Sequence, residues 1–150
     1  MTKPTRIISP TDFSPTSSHA VDQAATLAHA LGARLVLLHV IPEVNYPMRS
    51  FGMPQAMAHI KDELLAKARE TLQQRAQQLE QSHANLEVRG SVIEGEPHEV
   101  ILDSAKTENA DMIVMGTHGH TGLARALLGS TAEKVVRLAD CPVLTVRTPS

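Results

Sequence analysis

Aromatic residues are scarce in this chain: two phenylalanines, one tyrosine and no tryptophan. A ligand base would therefore rest on aliphatic side chains and backbone, not on the stacking platform of single-strand binders. Cysteine occurs once, as Cys141, so no internal disulfide can form and nothing demands an oxidising compartment. Neither sign of charge dominates, with 14 basic and 16 acidic residues and a net charge of −2. That balance gives no electrostatic reason to expect nucleic acid or an anionic membrane as partner. No apolar run approaches the ~20 residues that cross a bilayer. The opening MTKPTRIISPTDFS has no charged start followed by an apolar run, so no signal peptide is expected. A cytoplasmic location follows as the default. Two phosphate-binding signatures are also missing. There is no G-x-x-x-x-G-K-[ST], and no G-x-G-x-x-G follows the first apolar run.

What is present fits one domain spanning 1–150. Arg6-Ile7-Ile8 reads as a first strand ending at Pro10. Ser14-Pro15 then opens a helix, with serine as N-cap and proline in the first turn. Gly32 supplies its stop. Leu35 to Val40 is a continuous apolar run, as expected of a strand covered on both faces. Residues 41–55 read as a loop, and 56–82 as a long helix striped by Met57, Ile60, Leu64, Ala68, Leu72, Ala76 and Leu79. Leu86 to Val92 alternates like a strand with one wetter face. Gly95-Glu96-Pro97 reads as a turn into a helix ending near Asn109. Met112 to Met115 is a compact strand, a helix is expected from about Thr131 to Ala139, and Val143 to Val146 is a last strand. Strand and helix alternate throughout. That order predicts an α/β domain with a five-stranded parallel sheet and helices on both faces.

The most unusual stretch is GTHGHTGLARALLGST, residues 116–131. Gly116 and Gly119 lie three apart, and Gly129-Ser130-Thr131 follows after nine intervening residues. Glycines permit close backbone approach, and successive N–H groups in such a loop can form an anion-binding concavity. A helix N-terminus at Ser130-Thr131 would add unpaired donors and partial positive charge. The chemistry suited to this arrangement is a phosphate chain held mainly by main-chain amides. A structural reading stands beside it: Ser130 and Glu133 have the spacing of a capping box. In an open parallel sheet, the exit loops of the first and fourth strands would face each other where the winding reverses. Pro10-Thr11-Asp12-Phe13-Ser14 would then line the same crevice.

Gly116-x-x-Gly119-(nine residues)-Gly129-Ser130, after an apolar strand and before a helix, resembles the universal stress protein family, specifically its ATP-binding branch. Pro10 to Ser14, and His39-Val40 at the end of the second strand, match the same family, and the resemblance spans essentially the whole chain. It implies a Rossmann-like sheet of order 3-2-1-4-5, a homodimer and one ATP per subunit, with Mg²⁺. It assigns the phosphates to the surroundings of Gly119, Gly129, Ser130 and Thr131. Asp12 and Gly116 would lie near the ribose, and Val40 would meet the adenine edge through its backbone. Pro10 and Thr11 would shape the base pocket, with Met115 and His118 completing the site. The dimer would form through Val143, Leu144, Thr145 and Val146. The resemblance implies a stress-response switch and no catalytic residue, with slow ATP hydrolysis or a ligand-free interaction module as the alternatives. A nucleotidyl transferase would need a His-x-Gly-His type signature after the first strand, and Pro10 to Ser14 has none.

Several residues carry two readings. Asp12 is either a ligand to ribose or Mg²⁺, or an Asx-type turn at the strand exit. His118 and His120 are candidate phosphate donors, but no cysteine or carboxylate cluster completes a zinc set around them. His39 is expected to be a satisfied core residue, Arg125 a solvated one, and Cys141 a small packing residue.

Overall fold

The computed structural model describes residues 2–43, 54–118 and 128–148. Its elements run β1 (Arg6–Pro10), α1 (Pro15–Leu31), β2 (Arg34–Ile41), α2 (Pro54–Ser82), β3 (Val88–Glu94), α3 (Pro97–Thr107), β4 (Met112–Gly116), α4 (Ser130–Leu138) and β5 (Val143–Val146). The five strands form one sheet in the order β3-β2-β1-β4-β5, with every pairing parallel.

Strand periodicity divides the core into two layers. Ile7, Leu35, Leu37 and Val114 face α1 and α2, whereas Ile8, Val36, Leu38, Ile113 and Met115 face α3 and α4. Both faces are covered, which is why these strands read as unbroken apolar runs. On α1 the buried face is Ala20, Val21, Ala24, Ala25 and Ala28. Such small side chains let the helix axis approach the central strands closely.

The helix signals act as the sequence predicts. The Ser14 hydroxyl accepts from the Ser17 N–H at 3.2 Å, and Pro15 occupies the first turn. Gly32 ends α1 in the left-handed region at φ 67°, with Ala33 N–H bonded to the Ala28 carbonyl at 2.8 Å. The Glu96 side chain caps α3, accepting from Glu99 N–H at 3.2 Å.

Three expectations need correction. The third strand lies two residues later than its alternation suggested, at Val88–Glu94, because Leu86 packs into the core ahead of the pairing with β2. The α2 stripe is buried only from Ala68 onward. Ile60 and Leu64 are 53% and 55% exposed, since the 29-residue helix outruns the strands it covers. Finally, the capping box does not form. Ser130 is already helical, the N-cap is Gly129, and no side chain caps α4.

Candidate functional site

The winding reverses between β1 and β4, which are neighbours although three strands apart in sequence. At their carboxyl ends lies a cleft of about 310 Å³. Pro10, Thr11, Asp12, Val40, Met115, Gly116, His118, Gly129, Ser130 and Thr131 all line it. Gly119, with His120, Arg125 and most of the 41–55 loop, lies outside the described residues. Sequence reasoning missed Pro42, Pro97 and Ile101, which form an aliphatic wall with Leu38. Pro97 and Ile101 sit one helical turn apart on α3, a spacing visible in the sequence, but only the tertiary fold brings α3 to the cleft. A larger groove of about 610 Å³ runs between α2 and the edge strand β3. It is the open flank of a sheet and gathers no helix N-terminus.

One wall of the cleft is the β1–α1 loop, a closed hydrogen-bond network. Asp12 Oδ1 accepts from Ser14 N–H at 2.9 Å and from Ser17 Oγ at 2.7 Å. The Asx-turn reading of Asp12 is therefore built, and the residue lines the cleft as well. Ser17 Oγ lies 3.1 Å from Thr11 Oγ1 and accepts from Asp12 N–H at 3.2 Å. Thr11 Oγ1 also accepts from Phe13 N–H at 3.1 Å. Phe13 holds a left-handed backbone, φ 64°, and its ring stacks on His39 at 4.3 Å between centroids. His39 is half-buried and bonds the Thr11 carbonyl through Nδ1 at 2.8 Å, so it ties β2 to this loop rather than filling the core.

The opposite wall carries open polar groups. Gly129 N–H bonds the Thr117 carbonyl at 2.6 Å, and Glu133 N–H bonds the Gly129 carbonyl at 2.9 Å. Between them, the N–H groups of Ser130, Thr131 and Ala132 have no hydrogen-bond partner among the described residues. They sit at the positive end of α4, on residues that line the cleft. His118 Nδ1 lies 3.0 Å from Thr117 Oγ1, while its buried Nε2 has no partner among the described residues. Gly116 lines the cleft, but its lack of a side chain answers to α1. A Cβ there would come within 3.0 Å of Thr16 Cγ2 and 3.3 Å of the Thr16 carbonyl oxygen.

Other chemistry lies elsewhere. Glu96, His98 and Glu99 hold ligand-type atoms within 4.8 Å of one another on the first turn of α3. This grouping escaped the sequence reading, but Glu96 is occupied in capping Glu99 and in pairing with His98. Cys141 lies between α3 and the start of β5, where burial pushes its thiol pKa up and makes it a poorer nucleophile. Asp111 receives N–H bonds from Thr5 at 2.7 Å and Arg6 at 2.9 Å. The Thr5 N–H, foremost, holds its carboxyl below the ordinary range against an opposing burial effect. No helix among the described residues is long and apolar enough to cross a membrane.

Fold and cleft together define a small doubly wound α/β domain with a crevice at its switch point. Residues 4–147 match the model of the universal stress protein family, and the chain belongs to that family. It is 31% identical to universal stress protein MJ0577 of Methanocaldococcus jannaschii, across 95% of this chain and 94% of that one. It is similar in structure to universal stress protein UspA from Lactobacillus plantarum, with a TM-score of 0.86 at 27% identity over 98% of this chain and 100% of that one. A universal stress protein solved in complex with cAMP also shares the fold, with a TM-score of 0.66 at 24% identity, covering 99% and 100% of the two chains.

Proposed function

We propose that the chain binds ATP with Mg²⁺ in this cleft and serves the stress response as a nucleotide-dependent homodimeric switch in the cytoplasm. The observation that carries the reading is the uncapped start of α4, which brings three main-chain donors without partners among the described residues to the lining of the crevice. A helix N-terminus of that kind suits phosphate oxygens. Asp12 is the only carboxylate among the described lining residues, and Mg²⁺ is commonly held by one or two carboxylates together with substrate phosphates. Ser130 and Thr131 would add hydroxyl oxygens near the same ion. The adenine would lie on Leu38, Pro42, Pro97 and Ile101, in keeping with the scarcity of aromatics.

Binding is favoured over turnover. The described lining residues include no lysine or arginine to stabilise a transferring phosphoryl group, and Asp12 already accepts two hydrogen bonds. For the dimer, β5 ends the sheet, with Leu144 43% exposed on the α1 face and Val136 and Leu138 of α4, on the opposite face, 46% and 51% exposed. An unpaired edge strand flanked by apolar side chains is a surface that pairing with its copy would cover.

Mg-ATP at 100 times its dissociation constant should raise unfolding free energy by about 2.7 kcal/mol. Thermal melts with and without millimolar Mg-ATP test this, and an unchanged midpoint overturns it. Mass spectrometry of gently purified protein should find retained nucleotide.

A further inference from the structure

The end of β1 holds a feature that a simple strand stop does not explain. Register pairs Pro10 with Leu38, and Thr11 N–H bonds the Leu38 carbonyl at 2.8 Å. In a parallel ladder the next rung on this side belongs to Val40. Its N–H would donate to the Thr11 carbonyl, and its C=O would accept from Phe13 N–H. Both of those groups bond side chains instead. The Thr11 carbonyl accepts from His39 Nδ1, and Phe13 N–H goes to Thr11 Oγ1 at 3.1 Å. Val40 N–H is left without a partner among the described residues, and Val40 lines the cleft.

We infer that His39 is a positioning residue for base recognition, acting with Thr11 to hold the β1–β2 ladder open so that Val40 presents a main-chain donor and acceptor to the ligand. This rests on the reading that the cleft holds a nucleotide. A carbonyl only accepts, so His39 Nδ1 carries the proton, and stacking against Phe13 fixes the ring plane. An adjacent donor and acceptor on one backbone step match the amino and ring-nitrogen edge of adenine, whereas guanine presents the opposite pattern at those positions. His39 therefore sets which base is read without touching it.

The test compares three substitutions at one position. Asn carries Nδ2–H where His39 has Nδ1–H, Gln carries its amide one bond further out, and Leu has no donor. In ligand-free protein, the Val40 amide should exchange rapidly with solvent in the wild type and in His39→Asn. In His39→Leu and His39→Gln, where the Thr11 carbonyl is released to the ladder, exchange should slow at least tenfold. His39→Leu and His39→Gln should weaken ATP binding about tenfold or more while leaving inorganic triphosphate binding within about threefold. His39→Asn should restore ATP binding to within about threefold of wild type. Equal rescue by Asn and Gln, equal loss of ATP and triphosphate, or unchanged Val40 exchange would each overturn the inference. If His39→Leu does not fold, the Asn and Gln pair still decides. Should the wild type bind no ATP, the proposed function fails, while the exchange contrast still judges the role of His39.

Discussion

The two walls of the cleft are built on opposite principles. The β1–α1 wall closes on itself: Thr11, Asp12, Ser14 and Ser17 exchange hydrogen bonds until their donors and acceptors are largely used among themselves. The α4 wall leaves three main-chain donors and His118 Nε2 without partners among the described residues. A satisfied buried network is rigid, because breaking any member strands the others. With Gly129 at the N-cap, the helix start forgoes only about a few tenths of a kcal/mol relative to a serine or aspartate N-cap. The contrast teaches that one wall sets shape while the other keeps polar capacity in reserve, and that stability and affinity should respond to different substitutions.

The sharpest way to break this contrast is Ser17→Ala. Ser17 Oγ is the hub of the closed wall and is buried, so its removal should lower unfolding free energy by about 1–3 kcal/mol in chemical denaturation. ATP affinity should change less than about threefold. A stable variant that had lost binding would show that the walls do not divide their roles in this way.

Ser130→Asp reverses the pattern. A carboxylate in the first turn of α4 suits the helix dipole and should leave stability unchanged or raise it by about 0.3–1 kcal/mol. The same charge repels phosphate, so affinity should fall about tenfold or more, equivalent to about 1.4 kcal/mol, in titration calorimetry. Binding at wild-type strength would remove the α4 start from the site.

The smallest effect lies at the other end of the sheet. Asp111 has its folded pKa lowered, chiefly by Thr5 N–H, so its contribution is complete above the ordinary carboxylate range. That contribution is lost as pH falls through the lowered folded value. Asp111→Asn should therefore flatten part of the acid-side loss of stability, measured by denaturation between neutral pH and about pH 3. Nucleotide affinity at neutral pH should not change. A shift in affinity would reveal coupling from this end of the sheet to the cleft.

Much of this was legible beforehand because its causes are local. Ser14-Pro15 and Gly32 bound α1 by side-chain geometry within a few residues, and apolar runs marked β2 and β4 because both faces of the sheet are covered. Pro10 and the Gly129-Ser130 step pointed to the cleft through the switch-point rule and the family resemblance. The Ser130–Glu133 spacing misled for the same local reason. It matches a capping box, but the helix begins one residue too early for Ser130 to be the cap. The exposure of Ile60 and Leu64 was hidden because periodicity shows which face is apolar and not how far the neighbouring strands reach.

Sequence by itself determined the alternation of strand and helix, the family, and the glycine-bearing connector that leads into a helix start, since each depends on chain neighbours or on a recurring pattern. Tertiary structure decided that α3 lends Pro97 and Ile101 to the cleft, that Gly116 is small for the sake of Thr16, and that His39 reaches across to Thr11. Those contacts join residues tens of positions apart, and strand register and helix placement fix which of them meet.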